Sequence, residues 1–147
     1  MVNLRPAEPA DIESLLDLLE ALFTIEQDFT PDRERQRRGL EKLLEARGAY
    51  AVVAEYEGEI IGMATIQTLI STAEGGPAGV IEDLVVSESY RGRGIGQAIM
   101  NHLVSWAEQR GLSRLQLLAD RDNRSALEFY RKQGWSTTRL IALRMNR

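Results

Sequence analysis

The sequence has no cysteine. Disulfides, thiolate metal sites and a cysteine nucleophile are therefore all excluded, and such a chain suits the reducing cytoplasm, its expected location. There is one histidine, His102, at the edge of a helix's apolar stripe, a poor position for catalysis. No Asp/Glu/His group has metal-ligand spacing, so no metal is expected. No apolar run approaches the ~18 residues of a membrane span. The polar, acidic opening MVNLRPAEPADIE is unlike a signal peptide, which is basic and then apolar; no membrane partner is expected. Repeats, low-complexity tracts and linkers are absent too. Two phosphate-loop patterns fail by inspection. No Gly-Lys pair precedes Ser or Thr, as a Walker loop requires, and G-x-G-x-x-G starting at Gly92 or Gly94 meets Gln97 or Ile99.

What is present is ordinary for a soluble globular chain: 147 residues, 44% hydrophobic and 27% charged. That length is one domain's worth, spanning 1-147, and buries roughly 68–70% of its unfolded surface. Its charge is uneven. Residues 1 to 75 carry 7 Lys+Arg against 15 Asp+Glu, and residues 76 to 147 carry 11 against 7. A polyanionic cofactor on the basic side and a cationic amine on the other would both be favoured.

Residues 79 to 110 organise the rest. Val80 to Val86 is dense in β-branched residues, as a strand covered on both faces requires. From Ile95, steps of 100° gather Ile95, Ile99, Leu103, Trp106 and Ala107 into one stripe, a helix packed on a sheet. Between them lies Arg91-Gly92-Arg93-Gly94-Ile95-Gly96. Glycines let the backbone approach a ligand, the first N–H groups of the next helix have no partner within it, and two arginines add positive charge. That combination suits a phosphate or pyrophosphate.

The loop fits R/Q-x-x-G-x-G/A through Arg91, Gly94 and Gly96. Upstream is Ile81-Glu82-Asp83-Leu84-Val85-Val86; downstream is the segment from Asn123 through Tyr130 to Gly134 and Trp135, with Trp in place of the usual Phe. In these three segments the chain resembles the GCN5-related N-acetyltransferase (GNAT) family, over about residues 79 to 135. The resemblance implies an α/β (α+β) fold of one GNAT-type domain, a mixed central β-sheet flanked by helices in the order β-α-α-β-β-β-α-β-α-β. It implies acetyl-CoA as cosubstrate, its pyrophosphate on Arg91, Gly92, Arg93, Gly94, Ile95 and Gly96 and its pantetheine arm on backbone groups of Leu84, Val85 and Val86. Asn123 helps to anchor it, and Tyr130 is the general acid near the sulfur.

The expected function is acetyl transfer to a primary amine by direct attack in a ternary complex; the alternative is a catalytically silent acetyl-CoA sensor or scaffold. An alkylamine with a pKa near 10.4 is neutral in only about one molecule in 2,500 at pH 7, so a base is useful. Glu82 is the candidate, directly or through water. Asp83, expected on the opposite face because strand side chains alternate, is another, and water alone is the third. Glu26 and Asp28, in the break between the first two helices, are candidate holders of a second acceptor charge.

Along the chain, a strand at Val2 to Arg5 leads to a helix opened by Pro9-Ala10-Asp11 and reaching Phe23, then a helix from Pro31-Asp32 to Gly48. The alternating charges of Arg33 to Arg38 read as a solvated face and not as a nucleic-acid surface. Strands follow over Tyr50 to Tyr56 and Glu59 to Leu69, joined by Glu57-Gly58. Ser71 to Gly79 reads as a flexible loop, Leu115 to Ala119 as a strand, Asn123 to Gln133 as a helix and Trp135 to Met145 as a last β segment. Met63, Met100 and Met145 read as core fillers. Only 13 residues follow Gly134, so the sheet closes with a tight hairpin or one long strand, which could pair with a second subunit in a homodimer.

Overall fold

Residues 49–86 form the centre of a sheet because three β-rich runs are folded back on one another by turns that need left-handed backbone, at Glu57 (φ 50°) and Gly58 (φ 79°) and again at Gly75 (φ 74°). The structure, a computed structural model, describes residues 1–25 and 32–147. It falls into two units, Met1–Gln116 and Leu117–Arg147. The first contains β1 (Asn3–Pro6), α1 (Ile12–Ile25), α2 (Arg33–Glu45), β2 (Ala49–Tyr56), β3 (Glu59–Ser71), β4 (Gly76–Val86) and α3 (Ile95–Gln109). β5 (Leu115–Leu117) completes a sheet of order β1-β2-β3-β4-β5. The first three pairings are antiparallel. β4 and β5, neighbours joined through a helical crossover, run parallel, so the sheet is mixed.

α1 buries Ile12, Leu15, Leu16 and Leu19, the positions its periodicity gives, and Leu18 besides. With Leu40 of α2 they pack on Val53, Met63 and Val85, one face of the sheet. Complete burial of a leucine such as Leu15 or Leu16 contributes about 1.5–3 kcal/mol. α3 lies on the other face. Arg33 and Arg37 of α2 pair with Glu13, Asp17 and Glu20 of α1; the arginine run is thus partly spent on clasping two helices. At the start of α1, Asp11 accepts two bonds from Arg5, at 2.8 and 3.0 Å, and one from the Glu8 N–H.

Two expectations change. Strand β4 begins at Gly76, so most of the expected loop is strand paired with Ser71 to Thr68. Gly79 serves packing: a Cβ there would meet Leu115 Cδ2 at 2.8 Å and Leu112 Cδ2 at 2.9 Å.

The second unit holds α4 (Arg124–Lys132), whose first turn is capped by Asn123, its Oδ1 accepting from the Ala126 N–H at 3.1 Å. No strand is assigned over 135–147. The expected closing β segment is therefore not formed, and Met145, expected as a core filler, is 85% exposed alongside exposed Leu140, Ile141 and Leu143. A strand exists only through the ladder it shares with a neighbour, and no such ladder includes these residues.

Candidate active site

The candidate site of the first unit starts from a fault in the β3–β4 ladder. Thr65 pairs with Glu82 and Met63 with Val85, so the register slips between them and β4 carries an extra residue. Asp83 takes up the difference in the left-handed region at φ 58°. Thr65, 1% exposed, holds it there, its Oγ1 lying 3.1 Å from both the Glu82 carbonyl and Asp83 Oδ2. The bulge overturns the expectation that Asp83 points to the opposite face from Glu82. Both carboxylates line one cavity, with α1 and α2 as its far wall. Strict alternation fails because the inserted residue resets the pleat. The same reset turns Val85 toward α1.

Beyond Val86 the chain makes a short helical turn, Glu88–Tyr90, and enters the glycine loop. Gly92 and Gly94 adopt φ 77° and 80°, a conformation that costs other residues strain, and a Cβ on either would meet no atom within 4 Å. Gly94 is the N-cap of α3 and has no side chain to satisfy the first N–H groups. The first intrahelical bond is Ala98 N–H to the Gly94 carbonyl, 3.1 Å, so the N–H groups of Ile95, Gly96 and Gln97 are left for another acceptor. No acidic residue occupies this first turn. Uncapped donors, open space and a positive dipole end fit the pyrophosphate of acetyl-CoA.

The flanking arginines have additional work. Arg91 Nε donates to the Val86 carbonyl at 2.9 Å, which ties the loop to the end of β4. Arg93 lies over the Tyr90 ring, 5.1 Å from its centroid. Of the three β4 residues expected to receive the pantetheine arm, Val86 therefore already accepts one bond. β5 meets β4 where the Gly79 N–H donates to the Arg114 carbonyl, 2.8 Å, and β4 runs on from there to Val86. This leaves the outer edge near Leu84 and Val85 beyond the reach of a three-residue strand.

Asn123 and Tyr130 belong to the second unit. Tyr130 is half-buried, packs edge-on to Phe129 and Trp135, and its carbonyl accepts from the Trp135 N–H at 3.0 Å. Glu26 and Asp28 lie outside the described residues. His102 pairs through Nε2 with the Tyr50 hydroxyl, 2.7 Å; burial holds its pKa below the ordinary value. Among the described residues no group of His, Cys, Asp and Glu could hold a metal ion.

Sequence reading missed Thr65 and the cavity walls Phe23, Leu43 and Gln67. Thr65 had a signal: it is the one polar residue within the apolar run from Ile60 to Ile66. The walls had none, since their apolar residues fit helix core and Gln67 falls within the strand expected over Glu59 to Leu69.

The model of the acetyltransferase (GNAT) family matches residues 12–135. The chain is similar to glucosamine 6-phosphate N-acetyltransferase of Trypanosoma brucei brucei, 31% identical over 91% of this chain and 88% of that protein. An uncharacterized N-acetyltransferase of Methanocaldococcus jannaschii is 30% identical over 60% of this chain, which spans 40% of that relative's length. Among solved structures, a predicted acetyltransferase from Clostridium acetobutylicum with acetyl-CoA superposes with TM-score 0.81 at 25% identity, over 99% of this chain and 96% of that one.

Proposed function

The chain belongs to the acetyltransferase (GNAT) family, and from that premise we propose that it is an acetyl-CoA-dependent N-acetyltransferase in which a primary amine attacks directly within a ternary complex. The observation that carries this reading is the bulge at Asp83. It brings Glu82 and Asp83 into one cavity on the strand that leads to the uncapped start of α3. A sensor needs the second feature and has no use for the first. The absence of cysteine supports direct attack only in removing the thiol route to an acyl-enzyme.

Each residue then has a task. Backbone N–H groups of Ile95 and Gly96, with Arg91 and Arg93, hold the pyrophosphate, and the edge of β4 near Leu84 and Val85 holds the pantetheine arm. The bound acetyl-CoA supplies an activated thioester. A carboxylate oxygen of Glu82 takes the proton that the ammonium must lose, with Asp83 beside it raising the negative potential. A β4 N–H donates to the acyl oxygen as negative charge grows on it. The Tyr130 hydroxyl gives its proton to the departing sulfur, and Asn123 supports the cofactor from the start of α4.

The test is an incubation of the protein with acetyl-CoA and a panel of amines. Free thiol should appear in step with a product heavier by one acetyl group, and boiled protein should yield neither. Binding of CoA with no acetylated product from any amine class would favour the sensor.

A further inference from the structure

The cavity beside Glu82 and Asp83, open to solvent on one side, has a volume of about 360 Å³. That is near the small end of ligand pockets, which run from about 300 to 1,000 Å³, and equals the liquid volume of about twelve waters at ~30 Å³ each. Its chemistry is polarised. The β4 end presents the two carboxylates, while α1 and α2 contribute Leu19, Phe23, Leu40 and Leu43. Among the described residues no third acid lines it, and its one cation is Lys42. Glu13, Asp17 and Glu20 of α1 are engaged by Arg33 and Arg37 and do not line it.

One ammonium at the carboxylate end is matched. A second, carried toward the leucines, would lose its hydration with no carboxylate among the described residues to replace it and would be repelled by Lys42. A hydrocarbon there gains by leaving water. We propose that the acceptor is a monoamine on an apolar body, an alkyl- or arylalkylamine of up to about twelve non-hydrogen atoms, and not a polyamine or a polycationic aminosugar. This rests on the acetyltransferase reading for the reaction, but the selectivity belongs to the cavity itself.

Two measurements decide it, using n-alkylamines from butyl to heptyl, phenethylamine, 1,7-diaminoheptane and spermidine. The first is kcat/KM with acetyl-CoA. Heptylamine should exceed 1,7-diaminoheptane, its equal in length, by at least tenfold, and KM should fall about fourfold per added methylene until the cavity is full. Leu43→Asn should raise KM for heptylamine at least threefold and leave KM for acetyl-CoA alone. Gln67→Glu, an exposed near-isosteric change that does not endanger the fold, should raise diamine use relative to heptylamine. The second is NMR titration of leucine methyls with heptylamine and with the diamine, with and without CoA, which reads the cavity whether or not chemistry occurs. Saturable shifts with heptylamine alone support the proposal. CoA turnover in which spermidine or the diamine matches heptylamine overturns the proposal and spares the acetyltransferase reading. Heptylamine shifts without any CoA binding spare the cavity's selectivity and sink that reading, and equal shifts from monoamine and diamine overturn the proposal in every case.

Discussion

Tyr130 and Glu82 handle opposite ends of the proton traffic in the proposed reaction. Tyr130→Phe keeps the ring that packs on Phe129 and Trp135 and removes only the hydroxyl. The kcat should therefore fall about a hundredfold or more while the Kd for CoA, measured by calorimetry, stays within about twofold. Acid stability is read from two other residues. Burial lowers the pKa of His102 below its ordinary 6.5. The unfolded chain then binds that proton first, so the contribution is intact above pH 6.5 and drains away as pH falls below it. Asp11 is also lowered, chiefly by its hydrogen bonds from Arg5. Its contribution is intact above the ordinary 3.8 and is lost as pH falls through the lower folded value. Urea midpoints should thus drop in two steps on acidification, and His102→Gln should flatten only the step that begins near pH 6.5.

At the scale of elements, the β4 bulge and the α3 start are separate devices that can be broken separately. Thr65→Val removes the hydroxyl that holds both the Glu82 carbonyl and Asp83 Oδ2. Losing that part-buried hydrogen bonding should cost about 0.5–1.5 kcal/mol in urea unfolding. With Asp83 released from φ 58°, kcat/KM for the amine should fall while CoA affinity holds. Gly94→Val acts on the other device. The space around Gly94 is open, so the penalty is backbone strain at φ 80°, about 1–2 kcal/mol, together with a branched side chain in the path of the pyrophosphate. CoA affinity should drop at least tenfold, whereas Gly94→Asn, which tolerates left-handed backbone, should keep the stability.

For the whole molecule, a ligand that binds only the folded chain stabilises it by mass action. Acetyl-CoA at a hundredfold excess over its Kd should add about 2.7 kcal/mol. In a chain of this size that raises Tm by about 5–11 °C in a thermal melt. An unchanged Tm at saturating cofactor would remove the ground for every role assigned to the glycine loop.

The helices and the glycine loop are legible in the amino-acid order alone. Both rest on local chemistry: the stripe from Ile95 to Ala107 sets α3, and glycines at 92 and 94 permit φ values that side chains resist. Helix α1 likewise follows from the spacing of Ile12, Leu15, Leu16 and Leu19. Which side Asp83 faces is settled only when the strands pair. A slip of register is a property of two paired strands, and nothing in Ile81 to Val86 alone reports that Thr65 stands opposite Glu82. Pairing also makes Gly76 to Gly79 strand and not loop, because a glycine is favoured there only once Leu112 and Leu115 have come to fill its missing side chain. The proposed acceptor cavity belongs wholly to that second kind of information. Leucines of α1 and α2 and a glutamine of β3 share no local pattern, and only the folded chain sets their hydrocarbon opposite a pair of carboxylates.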